Sequence, residues 1–488
     1  MKNIILHEHN QTFCKVITDR DIELELQDYF SFFVQNYKHH PKYISGQWSG
    51  KINLLNRTKK TIYKGLFKKI EEFCIEHDYE YDDQLSNPIY SLSKDELKDH
   101  MNKISKTFIP RDYQLEAIAH CIKNNRATLL SPTASGKSFI IYSTIRWHDK
   151  RTLLIVPTKQ LVNQMYSDFE SYAKDTDWIV EDNVSKIMGG YSKVNLNQIT
   201  ISTWQSLNTE LPEDFLDQFE CVIVDEAHTC RASVLKNVIE QMKDCKLRYG
   251  FTGTLDGTEI SELVAIGLFG PIMKVIRTHE LIEQGHTADI NIKCMQLQYS
   301  KISKKPKRTY QEEIDFLVTH KKRTEFIVKL SLALKGNTLV LFRLVEKQGD
   351  VLFELSEKHK QDDQNVYFIS GKTDVDIRED IREQMNTREK RNILYASEGT
   401  TSTGISINNI DNIIFAYPSK ARIKVLQSIG RGLRKSDTKQ MMNLFDISDD
   451  LSKKKPNYTM LHFIERLKIY ISEKFKYTIT KIKLEEDK

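Results

Sequence analysis

At 488 residues, with 40% hydrophobic and 28% charged residues and a net charge of only +5, the chain reads as a folded protein of roughly three domains and not as a disordered one. So small an excess of positive charge confines any nucleic-acid footprint to local patches. The seven cysteines fall without CxxC pairs or clustered histidines, which argues against a disulfide framework or zinc site and for a reducing cytoplasm; no apolar run approaches ~18 residues and the first residues turn polar too early for a signal peptide, so neither secretion nor a membrane partner is expected.

Residues 1–95 are expected to form a small α+β domain that contacts DNA. Alternating residues 4–17 predict a hairpin, residues 22–35 a helix, and residues 51–55 with 61–63 a second strand pair. Acidic, turn-rich residues 78–87 mark a boundary. Between positions 38 and 69 there is no Asp or Glu, whereas Lys38, Lys42, Lys51, Arg57, Lys59, Lys60, Lys64, Lys68 and Lys69 are basic, with Tyr43, Trp48, Tyr63 and Phe67 interleaved. One sign of charge among aromatic rings can track a phosphate backbone. The local absence of acidic partners makes Lys42, Lys51, Arg57, Lys59 and Lys60 candidate DNA contacts. Trp48, between Gly46 and Gly50, suits a turn or core anchor better than a stacking platform.

From residue 96 to 285 short apolar runs alternate with helical patterns, at 128–130, 152–156, 199–202, 221–224 and 249–252. The pattern resumes between 286 and 452, at 337–342, 365–369, 392–395, 412–416 and 442–445. Strands alternating with helices imply βαβ units, so the fold class is α/β, with two tandem domains built on parallel sheets. The basic stretch 301–308 reads as a solvated excursion. In the extension 453–488, Leu461, Phe463, Ile464, Leu467 and Ile471 stand at helical spacing and predict a terminal helix followed by a frayed, charged tail.

The chemistry concentrates in three places. Residues Ser131, Pro132, Thr133, Ala134, Ser135, Gly136, Lys137 and Ser138 lie between an apolar run and a helical stretch. Small residues there let backbone N–H groups wrap phosphates at a helix N-terminus; Lys137 reaches the terminal phosphates of ATP and the Ser138 hydroxyl ligates Mg²⁺. The apolar run 221–224 ends in Asp225, Glu226, Ala227 and His228, placing Asp225 at the carboxyl edge of a sheet, where it shares the metal. Glu226, a carboxylate beside that metal, is the candidate for accepting a proton from the attacking water. In the second domain Gln427, Arg431 and Arg434 share one face of a short helix, a setting for guanidinium groups that meet a phosphate.

Taken in order, these segments resemble the motifs of a superfamily 2 helicase across residues 110–435. That implies tandem RecA-like domains, with ATP and Mg²⁺ in a cleft completed by Arg431 and Arg434. It also implies adenine reading by Gln114 and Arg111 and a nucleotide-proximal Gly404 within the fifth motif. Ala134 stands where the superfamily often has Gly, and Ser406 where it commonly has Asp. Nucleic acid would be held at Pro157, Thr158, Gly189, Gly190, Thr203, Trp204, Thr400 and Thr401; burial is the commoner fate of a side chain such as Trp204. Segments outside the motor, at 42–55, 309–313 and 473–477, resemble the UvsW-like recombination helicases of phages. The resemblance implies a monomeric enzyme of the host cytoplasm that remodels branched or forked DNA and RNA–DNA hybrids in recombination, repair and replication control. Alternatives are an RNA helicase or restriction-type translocase on the same motor, or a DNA-binding protein with a decayed ATPase, against which the intact Lys137, Asp225, Glu226, Arg431 and Arg434 speak.

Overall fold

The computed structural model describes the chain outside residues 1–2, 35–36, 87–88, 189–195, 208–211, 213, 232, 255–258, 300–308, 388, 403–408, 419–424, 427, 431–432, 434–440, 453–454 and 485–488. It divides into two compact units, Met1–Ser131 with Gly136–Val275, and Ile276–Lys488 with Pro132–Ser135. Among the described residues, no helix is long and apolar enough to cross a membrane.

In the first unit the amino-terminal segment forms a four-stranded sheet in the order Thr61–Tyr63, Phe13–Ile17, Asn3–Glu8, Glu80–Gln84. The expected hairpin is present, with Ile5 opposite Ile17. Alternate residues Ile4, Leu6, Cys14 and Val16 are buried, and the helices Arg20–Tyr29 and Phe67–Glu76 cover them with Ile22, Leu26, Ile70 and Phe73. Three expectations are corrected. The helix stops at Tyr29 because Ser31–Phe33 is a strand, and it pairs with Lys51–Asn53. Thr61–Tyr63 pairs with the hairpin strand through Phe13 and Tyr63, so the two later strands are not partners of each other. The acidic stretch is not all turn: after a turn at Asp78 (φ 56°), Glu80–Gln84 runs parallel to Asn3–Glu8 as an edge strand, where exposed polar side chains are tolerated.

This small sheet shares one apolar core with the adjoining motor domain. At Gly65 an added Cβ would lie 2.1 Å from the carbonyl oxygen of Ile266, so only glycine permits the approach. The fully buried Arg248 donates to Thr12 Oγ1 at 2.9 Å and Arg126 donates to the Gln11 carbonyl at 2.9 Å, tying the loop after the first strand to the motor.

The motor sheet of this unit has seven parallel strands in the order Ile272–Lys274, Arg126–Leu130, Leu247–Thr252, Cys221–Asp225, Thr152–Val156, Ile199–Thr203, Val184–Ile187. Its inner strands are buried along most of their length because helices cover both faces. The parallel register brings the loops after Leu130, Val156, Thr203, Asp225 and Thr252 to one edge.

The second unit carries another seven-stranded parallel sheet, in the order Gln364–Ile369, Arg391–Ser397, Thr338–Phe342, Asn412–Phe415, Met441–Asp450, Asp289–Tyr299, Tyr477–Leu484. The terminal helix is present at Tyr458–Ser472. The tail expected to fray instead turns at Lys474 (φ 56°) and adds the strand Tyr477–Leu484 to the sheet edge, with Tyr477 opposite Ile292. Polar side chains fasten this helix. Glu313 accepts from the backbone N–H of Tyr458 at 3.1 Å and of Thr459 at 2.7 Å, filling the helix N-terminus. Arg466 pairs with Asp446 at 2.7 Å with both side chains fully buried, and Tyr470 donates to the same carboxylate at 2.8 Å. Arg323 and Tyr299 bind Asp449 at 2.8 and 2.6 Å.

Replacing Arg466 by leucine strands the Asp446 carboxylate in the core and should destabilise the second unit by about 3–5 kcal/mol. Replacing Lys468, whose pair with Glu465 lies on the exposed side of the same helix, should have little effect. Urea unfolding of both variants checks this; equal midpoints would refute the contrast.

Candidate active site

The strand Arg126–Leu130 delivers the chain to the phosphate-loop candidate. Ser131 N–H donates to the Thr252 carbonyl at 2.8 Å, anchoring the loop to the neighbouring strand, and Ser135 Oγ donates to the Pro132 carbonyl at 2.7 Å, closing its turn. Two residues adopt left-handed backbone, Ala134 (φ 68°) and Gly136 (φ 77°). For Ala134, which stands where the superfamily often has Gly, the Cβ makes this conformation cost about 1 kcal/mol. Gly136 precedes the helix Lys137–His148, whose unpaired N–H groups and dipole favour an anion.

Gln114 lies against this turn. Its side chain is buried, its Oε1 accepts from Arg111 N–H at 2.9 Å, and a Cβ placed on Gly136 would come within 2.2 Å of its Nε2. Arg111 donates to Tyr113 Oη at 2.9 Å. The structure therefore brings the expected adenine-reading element and the phosphate loop together.

Lys137 Nζ stands 2.9 Å from Asp225 Oδ1 and 3.0 Å from Glu226 Oε1. Asp225 ends its strand and Glu226 follows with φ 57°, a strained turn that directs consecutive carboxylates to the same ammonium. Burial pushes the Asp225 carboxyl above its ordinary range, with Lys137 opposing. Burial also works against ionising Glu226, but Lys137 and then His228 outweigh it and hold its carboxyl below the usual range. Burial disfavours the Lys137 ammonium, yet Asp225 and Glu226 together raise its pKa. His228 Nδ1 lies 3.2 Å from Glu226 Oε2 and 2.9 Å from Thr252 Oγ1, and Thr252 Oγ1 donates to the Thr254 carbonyl at 2.8 Å. The histidine thus joins the carboxylates to Thr252, at the end of the neighbouring strand Leu247–Thr252. Ser138 Oγ is 2.7 Å from Tyr172 Oη, a neighbour that no sequence motif announces.

The nucleic-acid candidates are less uniform. Pro157 and Thr158 follow the strand Thr152–Val156, and Thr158 Oγ1 caps the helix Lys159–Ala173 by accepting from Leu161 N–H at 3.3 Å. Thr203 Oγ1 is engaged with Ser206, and Trp204 is half-buried against the core. Thr400 Oγ1 lies 2.6 Å from Ser397 Oγ. Gly189, Gly190, Gly404, Gln427, Arg431, Arg434 and the Thr401 side chain fall outside the described residues.

In the amino-terminal sheet the acidic partners missing from the local sequence come from the helix Arg20–Tyr29. Asp28 pairs with Lys51 at 2.7 Å and Glu23 with Arg57 at 2.8 Å. Lys68 and Lys69 pair with Glu71 and Glu72 one turn on, and Lys64 is buried on Glu8. Among the described residues, the exposed Lys38, Lys42, Lys59 and Lys60 carry no ion pair, and they form the remaining basic surface of the segment. Trp48 is half-buried and donates from Nε1 to the Lys51 carbonyl at 2.9 Å, an anchor for the turn.

Two parallel sheets of RecA-like topology, one bearing a phosphate loop beside a DEAH carboxylate pair, define a superfamily 2 helicase motor. Residues 107–257 match the family described as type III restriction enzyme, res subunit, and residues 322–436 match the helicase conserved C-terminal domain. Residues 3–82 match the N-terminal domain of DNA helicase UvsW. The chain is 30% identical to the ATP-dependent DNA helicase uvsW of Enterobacteria phage T4 over 512 aligned positions, 99% of this chain and 100% of the relative. The crystal structure of T4 UvsW aligns with a TM-score of 0.52 at 29% identity, covering 99% of this chain and 100% of that one. A DNA 3'-5' translocase of Sulfurisphaera tokodaii is 24% identical over 409 positions, 77% of this chain and 88% of its own. The chain belongs to the UvsW family of ATP-dependent DNA helicases.

Gly136→Ala combines a positive φ with a collision at Gln114. It should weaken ATP binding by tenfold or more, on the order of 1.4 kcal/mol, and lower the melting temperature by only a few degrees. Nucleotide titration checks this, and undiminished affinity would remove the close-approach argument.

Proposed function

We propose that this helicase couples ATP hydrolysis to the remodelling of branched DNA, including forks, Holliday junctions and RNA–DNA hybrids, as a monomer in the host cytoplasm during phage recombination, repair and replication control. The observation that carries this reading is the amino-terminal sheet packed into the same core as the phosphate-loop domain. DNA gripped by Lys38, Lys42, Lys59 and Lys60 then moves with that domain, so nucleotide-driven motion is delivered to duplex held outside the motor. Lys51 and Arg57 would join only by exchanging Asp28 and Glu23 for phosphate.

The site supports ATP hydrolysis through the chain's own groups. Lys137, shared between two carboxylates, is the ammonium placed for the terminal phosphates. Glu226, held ionised, is the acceptor for the proton of the attacking water. One ammonium against two carboxylates leaves uncompensated negative charge, and with Ser138, next to Lys137 in sequence, the donor set fits a hard divalent cation. Ser138 and Asp225 would hold Mg²⁺, which when bound supplies electrophilic assistance at the phosphates. Gln114 and Arg111 would read the adenine, and Pro132 to Gly136 with Gly404 would line the nucleotide. Gln427, Arg431 and Arg434 are proposed to complete the charge stabilisation on the strength of their motif.

Lys137→Ala should reduce DNA-stimulated ATP hydrolysis to background and leave DNA binding within about twofold of wild type. ATPase and unwinding measured side by side on forked DNA, a Holliday junction, an R-loop and an RNA duplex test the substrate; equal activity on the RNA duplex would favour the RNA-helicase reading. Neutralising Lys38, Lys42, Lys59 and Lys60 together should flatten the plot of log affinity for forked DNA against log salt, its slope falling by about one for each phosphate no longer neutralised. An unchanged slope would exclude this surface.

A further inference from the structure

The geometry points to Tyr172 as a positioning residue for Mg²⁺: its hydroxyl accepts a hydrogen bond from Ser138 Oγ–H and turns a lone pair of the Ser138 oxygen toward the cation. This rests on the proposed role of Ser138. An alcohol oxygen that binds a cation through a lone pair must direct its proton elsewhere, and Tyr172 Oη, 2.7 Å from Ser138 Oγ, is an acceptor in reach. The phenol is held in place. Tyr172 is 8% exposed, and its ring packs edge-on against Phe108 at 4.7 Å and Phe139 at 5.1 Å and tilted against Tyr142 at 5.5 Å. Phe139 is the residue after Ser138, and Phe108 lies just before the Arg111–Gln114 element, so one aromatic cluster joins the adenine-side segment to the helix bearing the metal ligand.

The test is Mg²⁺ titration of the binding of a fluorescent, non-hydrolysable ATP analogue to full-length protein. Tyr172→Phe keeps the ring and removes only the hydroxyl. It should raise the half-saturating Mg²⁺ concentration about tenfold and leave analogue affinity in EDTA unchanged. Ser138→Ala should raise the Mg²⁺ half-point at least as much, and adding Tyr172→Phe to it should give no further shift, because the two act through one hydrogen bond. An unchanged or lowered half-point in Tyr172→Phe, with Ser138→Ala raised, overturns the positioning role alone. An unchanged half-point in Ser138→Ala overturns the metal-ligand assignment and this inference with it.

Discussion

A buried and a half-buried carboxylate facing a single ammonium at the end of a parallel sheet are the constraint around which the first unit is arranged. Charge in a low-dielectric setting has to be compensated locally, so the residues carrying it cannot drift apart without large cost. The strand register satisfies this requirement. Leu130 lies opposite Thr252, and Phe251 opposite Asp225, so the loop that supplies Lys137 and the strand that supplies Asp225 finish level across one intervening strand. That intervening strand contributes Thr252, which meets both His228 and the first residue of the loop. Left-handed backbone at Glu226 stores strain at the same point, held by the surrounding sheet.

The second unit uses buried charge differently. On the strand Met441–Asp450, two fully buried acidic groups are each matched to an arginine: Asp446 to Arg466 and Asp449 to Arg323. Arg323 and Gln348 also donate to the Ala416 carbonyl at 2.9 Å, and His462 Nδ1 is 3.1 Å from the Pro418 carbonyl. The chain leaving the strand Asn412–Phe415 toward the arginine-bearing motif is therefore gripped from three elements. Such polar contacts add specificity of placement where apolar packing alone would allow sliding.

What can be read in the linear chain follows from where each constraint acts. The phosphate loop, the DEAH segment and the strands Thr152–Val156 and Cys221–Asp225 are legible because their signals are local: fixed spacing, or an apolar run buried on both faces. Asp289–Tyr299 alternates buried and half-exposed residues and carries no such run, and Glu80–Gln84 is an edge strand whose polar side chains face outward. The ion pairs of Lys51 and Arg57 join residues far apart in sequence, so the absence of acidic neighbours beside them misleads. Tyr172 is inconspicuous for the same reason, since a tyrosine at the end of an amphipathic helix looks like core until its hydroxyl is placed beside Ser138. Thr158, Thr203 and Thr400 stand at or just beyond strand ends that the apolar runs reveal, but the bonds their hydroxyls and amides make appear only in three dimensions.

The edge strand Tyr477–Leu484 bears on biosynthesis. It pairs with Asp289–Tyr299 along most of that strand, and among the described strands of the sheet it is the last made on the ribosome. Until it and the preceding helix emerge, Asp446 lacks Arg466, Glu313 lacks the backbone it caps, and one side of Asp289–Tyr299 is an open edge. At elongation rates of about 5–20 residues per second the nascent second motor domain waits seconds in this state, while the first unit already has all of its strands. A prematurely terminated product would thus carry a complete phosphate-loop domain attached to an unfinished, aggregation-prone sheet, and ribosome-associated chaperones would meet the helicase at that stage.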